Sequence, residues 1–495
     1  MCSRSSAEMR IGYITDLEGN LELWHRSIDL SEVLRRGADR SLELCDDAAF
    51  VFGGDAVDHG PGDLQILKDL VGLKKRYPDR VHLLVGNRDV NKIRLMVELA
   101  DEHCAAVPLS QHPGVYWNTP AKPAACLSEP ELNSETMAMR LQWILARSMN
   151  APKAFESRKQ ELSRFAGGEV VDDAAVVKSF QEYVRPGGLM FEYLSLAKLA
   201  IVLDGVLFVH AGLPRAGDVW TPGWCPGGPG EVPRLDVPLL QWIDDVESFR
   251  AQAWKQIVAS DAFPPGPAAW FFSGGYDHAQ PGSGLLQYMM SDTPEGTRQP
   301  SIMCNGFLDD SSQPMQPDEA TLSWLQEGGV RCVVCGHKPH GDAPFVMRIG
   351  RGIDAITADI TYASNVKWSD MTEPRPSVGS LAVCEVVLGP TPCDARAHGY
   401  LSDGSAFEAK LADQIIGKST KDGWRVKGRA TESGKLVLSK NIGWDFSTRL
   451  VATEEVVIAT EELGARIRAR DADDSDAGSS GFQGPGKRFR KGTSF

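Results

Sequence analysis

Five short stretches of this 495-residue chain place oxygen- or nitrogen-bearing side chains directly after an apolar run. They are Asp16-Leu17-Glu18-Gly19-Asn20, Gly54-Asp55-Ala56-Val57-Asp58, Gly86-Asn87-Arg88-Asp89, Val209-His210-Ala211-Gly212 and Gly336-His337-Lys338-Pro339-His340-Gly341. Mixed carboxylate, carboxamide and imidazole donors suit Mn, Fe or Zn better than calcium. One such stretch alone is an ordinary turn with a locally satisfied side chain. Five in order are hard to assign to turns.

Those groups need elements to bring them together. Arg10 to Thr15, Ala48 to Phe52 and Val81 to Val85 read as strands that run into polar loops. Leu21 to Arg36 and Leu64 to Arg76 carry apolar residues at helical spacing, so the chain opens as βαβαβ with parallel strands. Polar residues then collect at the carboxyl ends of the strands, where open α/β sheets place their sites. Residues 105–198, with the helical stretches Glu135 to Ser148 and Phe155 to Phe165, read as a mainly helical insertion. Strands return at Leu199 to Leu203 and Val206 to Val209. Residues 214–329, rich in Pro, Gly and Trp, read as a loop-heavy insertion whose aromatic group Phe271, Phe272, Tyr276 and His278 could form a lid. Val330 to Val334, Phe345 to Arg348, Gly352 to Ile356 and Ser380 to Leu388 supply a second sheet.

The motifs resemble those of the calcineurin-like metallophosphoesterases, nearest to the phosphoprotein phosphatases and the bacterial dinucleotide hydrolases. That family reads Asp-x-His-Gly-Asn, Gly-Asp-x-x-Asp-Arg-Gly, Gly-Asn-His-Glu or Gly-Asn-His-Asp, His-Gly-Gly or His-Ala-Gly, and Gly-His, in this order. The similarity spans about residues 9 to 104 and 199 to 388 in pieces. It implies a four-layer αββα sandwich of class α+β over residues 8–390. Beyond it, Gly-punctuated β patterns read as a small β-rich appendage at 391–460, and the acidic, Gly- and Ser-containing, then basic end reads as a disordered tail at 461–495. The resemblance also implies two divalent metal ions. Asp55 would bridge them, with Asp16 on one and Asn87, His210 and His337 on the other. Cations about 3.5–4 Å apart need a shared anionic ligand, and together they activate water and clamp phosphate oxygens. Asp58 and Asp89 enter as catalytic-site carboxylates beside the ligands, although Asp58 reads equally well as a helix N-cap.

Two positions depart from the family pattern. Glu18 stands where a histidine is expected, and its carboxylate can still ligate a metal, against a solvated role. Arg88 stands where the family has a second histidine. A guanidinium stays protonated and cannot act as a general acid, but it can grip phosphate in a bidentate fork. The family's phosphate-binding arginines are replaced by His59 and Val85, so Arg88, with His59 and His340 as weaker candidates, is the expected phosphate contact. In the competing reading Arg88 repels the cation, and the chain is a catalytically degenerate binding protein with a phosphatase fold.

The expected activity is hydrolysis of a phosphomonoester or nucleotide-type substrate by metal-activated hydroxide, with a Ser/Thr phosphoprotein phosphatase as the alternative to a small substrate. A net charge of −14 argues against affinity for nucleic-acid polymers. No run approaches the length of a membrane span, and the first ten residues do not resemble a signal peptide, so the expected location is cytoplasmic. Ten cysteines are too sparse for a disulfide scaffold. Cys332 and Cys335 lie in one apolar strand, where alternation points them to opposite faces, so neither a zinc nor a redox role is expected.

Overall fold

The computed structural model describes residues 9–39, 41–111, 135–227, 232–259, 283–289, 300–309, 313–360, 382–391, 394–442 and 445–459. The proposed lid aromatics and the tail at 461–495 lie outside these. Within them the chain forms an α+β sandwich of four layers: helix, sheet, sheet, helix.

Along the larger sheet the strands run Asp445–Val451, Leu436–Ile442, Arg425–Ala430, Ala406–Lys410, Arg396–Tyr400, Val383–Leu388, Arg10–Ile14, Ala48–Phe52 and Val81–Leu83. The smaller sheet runs Phe345–Gly350, Ile353–Thr357, Cys332–Cys335, Val206–Val209 and Ala200–Leu203. Alternation sorts the faces. Ala49 and Val51 point inward with Ile11, Tyr13, Phe208, Val334 and Ile356 into a core shared by the two sheets. Phe50 and Phe52 point outward to meet Trp24, Ile28, Leu67 and Leu70 of the covering helices Leu21–Leu30 and Asp63–Arg76. Cys332 joins the inner core and Cys335 the outer one, so the pair is split across the strand as alternation requires.

Pairing direction decides where the chain leaves each sheet. Arg10–Ile14 pairs in parallel with Ala48–Phe52, which pairs in parallel with Val81–Leu83. In the smaller sheet Cys332–Cys335 is parallel to both Val206–Val209 and Ile353–Thr357. The loops that follow these strands emerge together at one edge of the sandwich.

Three features differ from the sequence expectation. The helix expected over Leu21 to Arg36 stops at Leu30, and Leu34–Arg36 forms a short hairpin with Leu42–Leu44. Ser31 ends the helix: its Oγ accepts from the backbone nitrogens of Val33 and Leu34 and donates to Glu385. The section read as loop-heavy holds the 21-residue helix Leu239–Ala259 and the helix Glu319–Glu327, whose Trp242, Leu322 and Leu325 are buried. The strands after residue 391 do not stand apart, since each continues the larger sheet in antiparallel register.

The helices between residues 135 and 198 brace the edge where the loops emerge. Gly62 has no side chain to cap the helix Asp63–Arg76, and Glu161 supplies the cap from the helix Ala154–Phe165. Its carboxylate accepts from the backbone nitrogens of Leu64 and Gln65 at 3.1 and 3.0 Å.

Candidate metal centre

The edge loops turn so sharply that they need left-handed backbone from residues that are not glycine. Of nine described positive-φ residues other than glycine, five stand here: Asp16, Glu18, Asp55, Asp58 and His337. Such conformations are strained for side-chain-bearing residues and collect at functional sites. Close backbone approach adds to the constraint. A Cβ on Gly86 would overlap the backbone nitrogen and Oδ1 of Asp55, and one on Gly336 would overlap Oδ2 of Asp16.

Asp55, His210 and His337 offer ligand atoms that lie within 4.8 Å of one another. Asn87 sits between them, with Oδ1 3.0 Å from His210 Nε2 and 3.0 Å from His337 Nδ1. His210 Nδ1 is 2.8 Å from the Gly53 carbonyl, which can only accept, so Nδ1 carries a proton and Nε2 faces the cluster. That is the tautomer of an imidazole ligand steered by a backbone carbonyl. Asp55 Oδ1 lies 3.5 Å from the same Nε2. A carboxylate oxygen, an amide oxygen and two imidazoles therefore point at one place where a positive charge is needed. The titration of the groups reflects that need. Burial works to raise the Asp55 carboxyl, but His210 and Arg88 hold it at about 2. Burial works against charge on His210, yet the neighbouring Asp55 lifts it to about 9. A divalent transition metal fits this donor set, because it satisfies carboxylate, amide and imidazole at once.

The other expected ligands are engaged differently. Asp16 is buried, and its carboxylate accepts from the Thr15 hydroxyl at 2.5 Å and from the His337 backbone nitrogen at 3.1 Å to each oxygen. Burial is the main reason its pKa rises to about 7. Glu18 Oε1 lies 2.8 Å from Arg88 Nε, and Oε2 lies 3.6 Å from His59 Nε2. Arg88 Nη1 also donates to Asp58 Oδ2, and its Nε is 3.7 Å from Asp55 Oδ2. The guanidinium expected to reach for phosphate thus turns inward to carboxylates, with its side chain 11% exposed. Asp58 is a shared acceptor: Lys92 Nζ donates to its Oδ1 at 2.6 Å. Burial would raise the Asp58 carboxyl, but Lys92 and Arg88 keep it below the ordinary carboxylate range. It is an ionised anchor for two cations and does not cap a helix.

Asp89, expected among the catalytic residues, is fully buried and holds backbone. Its oxygens accept from the backbone nitrogens of Asp55 at 2.8 Å, Ala56 at 2.9 Å and Gly86 at 3.0 Å. It positions the loop that carries Asp55. The expectation that His340 contacts phosphate does not suit its placement. It is 2% exposed and stacks on Phe345 with ring centroids 4.5 Å apart, so it has no face for a ligand. Burial and the nearby Lys427 press its pKa well down.

Sequence reasoning overlooked Thr15, Lys92 and the carbonyl of Gly53. Lys92 left one trace, its place four residues after Arg88 where a helix would align them. Nothing in the sequence singles out Thr15 or the Gly53 carbonyl.

No protein-family model matches the chain. Among solved structures, a cold-active protein-tyrosine phosphatase of a psychrophilic Shewanella species is 12% identical, covering 81% of this chain and 80% of its own, with a TM-score of 0.36. A protein serine/threonine phosphatase from Saccharomyces cerevisiae is 13% identical, covering 77% of this chain and 72% of its own, with a TM-score of 0.30. At these TM-scores neither likeness assigns a role to any residue. No helix among the described residues is long and apolar enough to cross a membrane.

Proposed function

We propose that the protein is a metal-dependent phosphoesterase acting on a small phosphorylated or nucleotide-type substrate. The observation that carries this reading is the convergence of Asp55, Asn87, His210 and His337 on one point at the edge where parallel strands end. Mn, Fe or Zn held there would activate water and draw electrons from a phosphate oxygen. Asn87 and His210 orient the donor set, and Asp89 holds the Asp55 loop still. Arg88 remains charged and Asp58 remains ionised, so neither can give a proton to a departing alkoxide. Neither of these two residues then assists departure, which favours a substrate with a good leaving group.

The test is hydrolysis of aryl and alkyl phosphomonoesters and of nucleotides after reconstitution with Mn, Fe or Zn. Aryl esters should be cleaved faster than alkyl esters. Chelation should abolish the activity, and His210→Ala should lower it by at least about 100-fold, since loss of a group behind a ligand alone costs 10–100-fold. A second reading is a phosphate- or partner-binding protein without catalysis, and the inward pairing of Arg88 with Glu18 and Asp58 favours it. Folded, metal-loaded protein that cleaves no ester in the panel would establish that reading instead.

A further inference from the structure

We propose that the guanidinium of Arg88 occupies the place of one of the two expected metal ions, leaving a site for a single divalent cation. This deepens the proposed function and rests on its metal cluster. Five carboxylates lie at the edge, Asp16, Glu18, Asp55, Asp58 and Asp89, of which Asp89 is taken up by backbone nitrogens. Glu18 and Asp16 were the expected ligands of the first ion. Glu18 instead holds Arg88 Nε at 2.8 Å, and Asp16 holds the backbone of His337. Arg88 Nη1 reaches Asp58, and Nε approaches Asp55 Oδ2 at 3.7 Å, so the guanidinium lies where three carboxylates meet. A bridging carboxylate must offer one oxygen to each cation. Asp55 does so in altered form, with Oδ1 toward His210 and Oδ2 toward Arg88.

The position is also held from the backbone. The Arg88 nitrogen donates to Asp55 Oδ1 at 2.8 Å, which ties the start of the arginine to the ligand it faces. Arg88 and Lys92 also bring two cationic side chains onto Asp58, and Arg88 meets Glu18 as well, so the place expected for the first ion already holds positive charge. Among the described residues only Asp55, His210 and His337 form a group with metal-ligand spacing, and neither Asp16 nor Glu18 belongs to it.

The test is metal stoichiometry, which does not depend on turnover. Wild-type protein, Arg88→Gln and Arg88→His are equilibrated with Mn²⁺, passed through a desalting column and analysed for bound metal, with electron paramagnetic resonance of the same samples. Wild type should hold one equivalent and show the signal of an isolated Mn²⁺ ion. Arg88→Gln and Arg88→His, which vacate the cationic place, should take up a second equivalent and show spin coupling. Two equivalents with coupling in wild type overturn the proposal, and so does a wild type that binds none. Folded Arg88 variants that stay at one equivalent overturn it too. Should the variants fail to fold, the wild-type signal still decides between isolated and coupled ions. A one-ion wild type that hydrolyses no phosphoester would refute the phosphoesterase reading while leaving this one intact.

Discussion

From Arg10 to Leu83 the larger sheet uses three parallel strands joined by helices, whereas from Val383 to Val451 it uses six antiparallel strands joined by short connections. Parallel strands release the chain at the same edge each time, and Asp16, Asp55 and Asn87 gather there. Antiparallel strands release it at alternate edges. The second half also buries polar groups, and two of them find complements: Lys427 Nζ donates to the Ala343 carbonyl at 2.9 Å, and Asp342 accepts from Ser402 and Thr448. In the first half Asp55 and Asn87 converge with His210 and His337 on one point. Burial of polar atoms therefore does not mark a site in this molecule; convergence of ligand-type groups does, and strand direction creates it.

A matched pair of glycines tests that difference most severely. A Cβ on Gly86 would overlap Asp55, and one on Gly399 would overlap the Val383 carbonyl oxygen and the Cys384 Cα. Gly86→Ala should weaken Mn²⁺ binding by roughly 100-fold or more by displacing a ligand loop. Gly399→Ala should leave metal stoichiometry unchanged and lower stability by about 3 kcal/mol through overpacking, read from urea unfolding. Equal loss of metal in both variants would show that the two halves are not separable.

Smaller effects sharpen the contrast. Asp89→Asn removes a carboxylate that serves three backbone nitrogens and should destabilise the protein by about 1.5–3 kcal/mol in the same unfolding assay. Lys427→Met, on the other side, removes a buried ammonium that donates to the Ala343 carbonyl and lies over the Phe345 ring, and it should stay within about 1 kcal/mol of wild type. A larger loss at Lys427 than at Asp89 would reverse the assignment.

The smallest expected effect is a pH slope from His82 on the strand Val81–Leu83. Burial, with Lys74 and Lys198 nearby, presses its pKa from the usual 6.5 to about 4. Between those values the unfolded chain binds the proton and the folded chain does not, so stability falls as pH drops from 6.5 toward 4. After allowance for its partial exposure the loss is on the order of 1 kcal/mol. Urea midpoints at pH 7 and pH 4.5 for wild type and His82→Gln check it, with a flatter profile expected for the variant.

What the sequence discloses and what it hides divide along physical lines. Ala48–Phe52 and Val206–Val209 are legible because a strand buried on both faces is a short unbroken apolar run. The end of the first helix is not legible, because Ser31 is held by Glu385, which lies 354 residues away. Strands after residue 391 are visible as strands, but which strand neighbours which is settled only by pairing. Ligand types at the strand ends are likewise visible. The direction of Arg88 is hidden, since the same side chain can reach outward to an anion or inward to Glu18, and only the placement of Glu18 and Asp58 decides it. Asp89 shows the same limit: a carboxylate in a loop looks reactive until three backbone nitrogens are found on it.

The contact between the His337 backbone and Asp16 spans 321 residues. At a synthesis rate of about 5–20 residues per second, the ribosome needs roughly 16–64 s to go from one to the other. Once residue 87 has been made, the growing chain carries Asp16, Asp55 and Asn87 but lacks His337 until the end of that interval, so any cation it meets finds an unfinished set of ligands. Under the proposed metal role, capture therefore waits for the completed edge, and the completed edge, not the nascent chain, would select the ion.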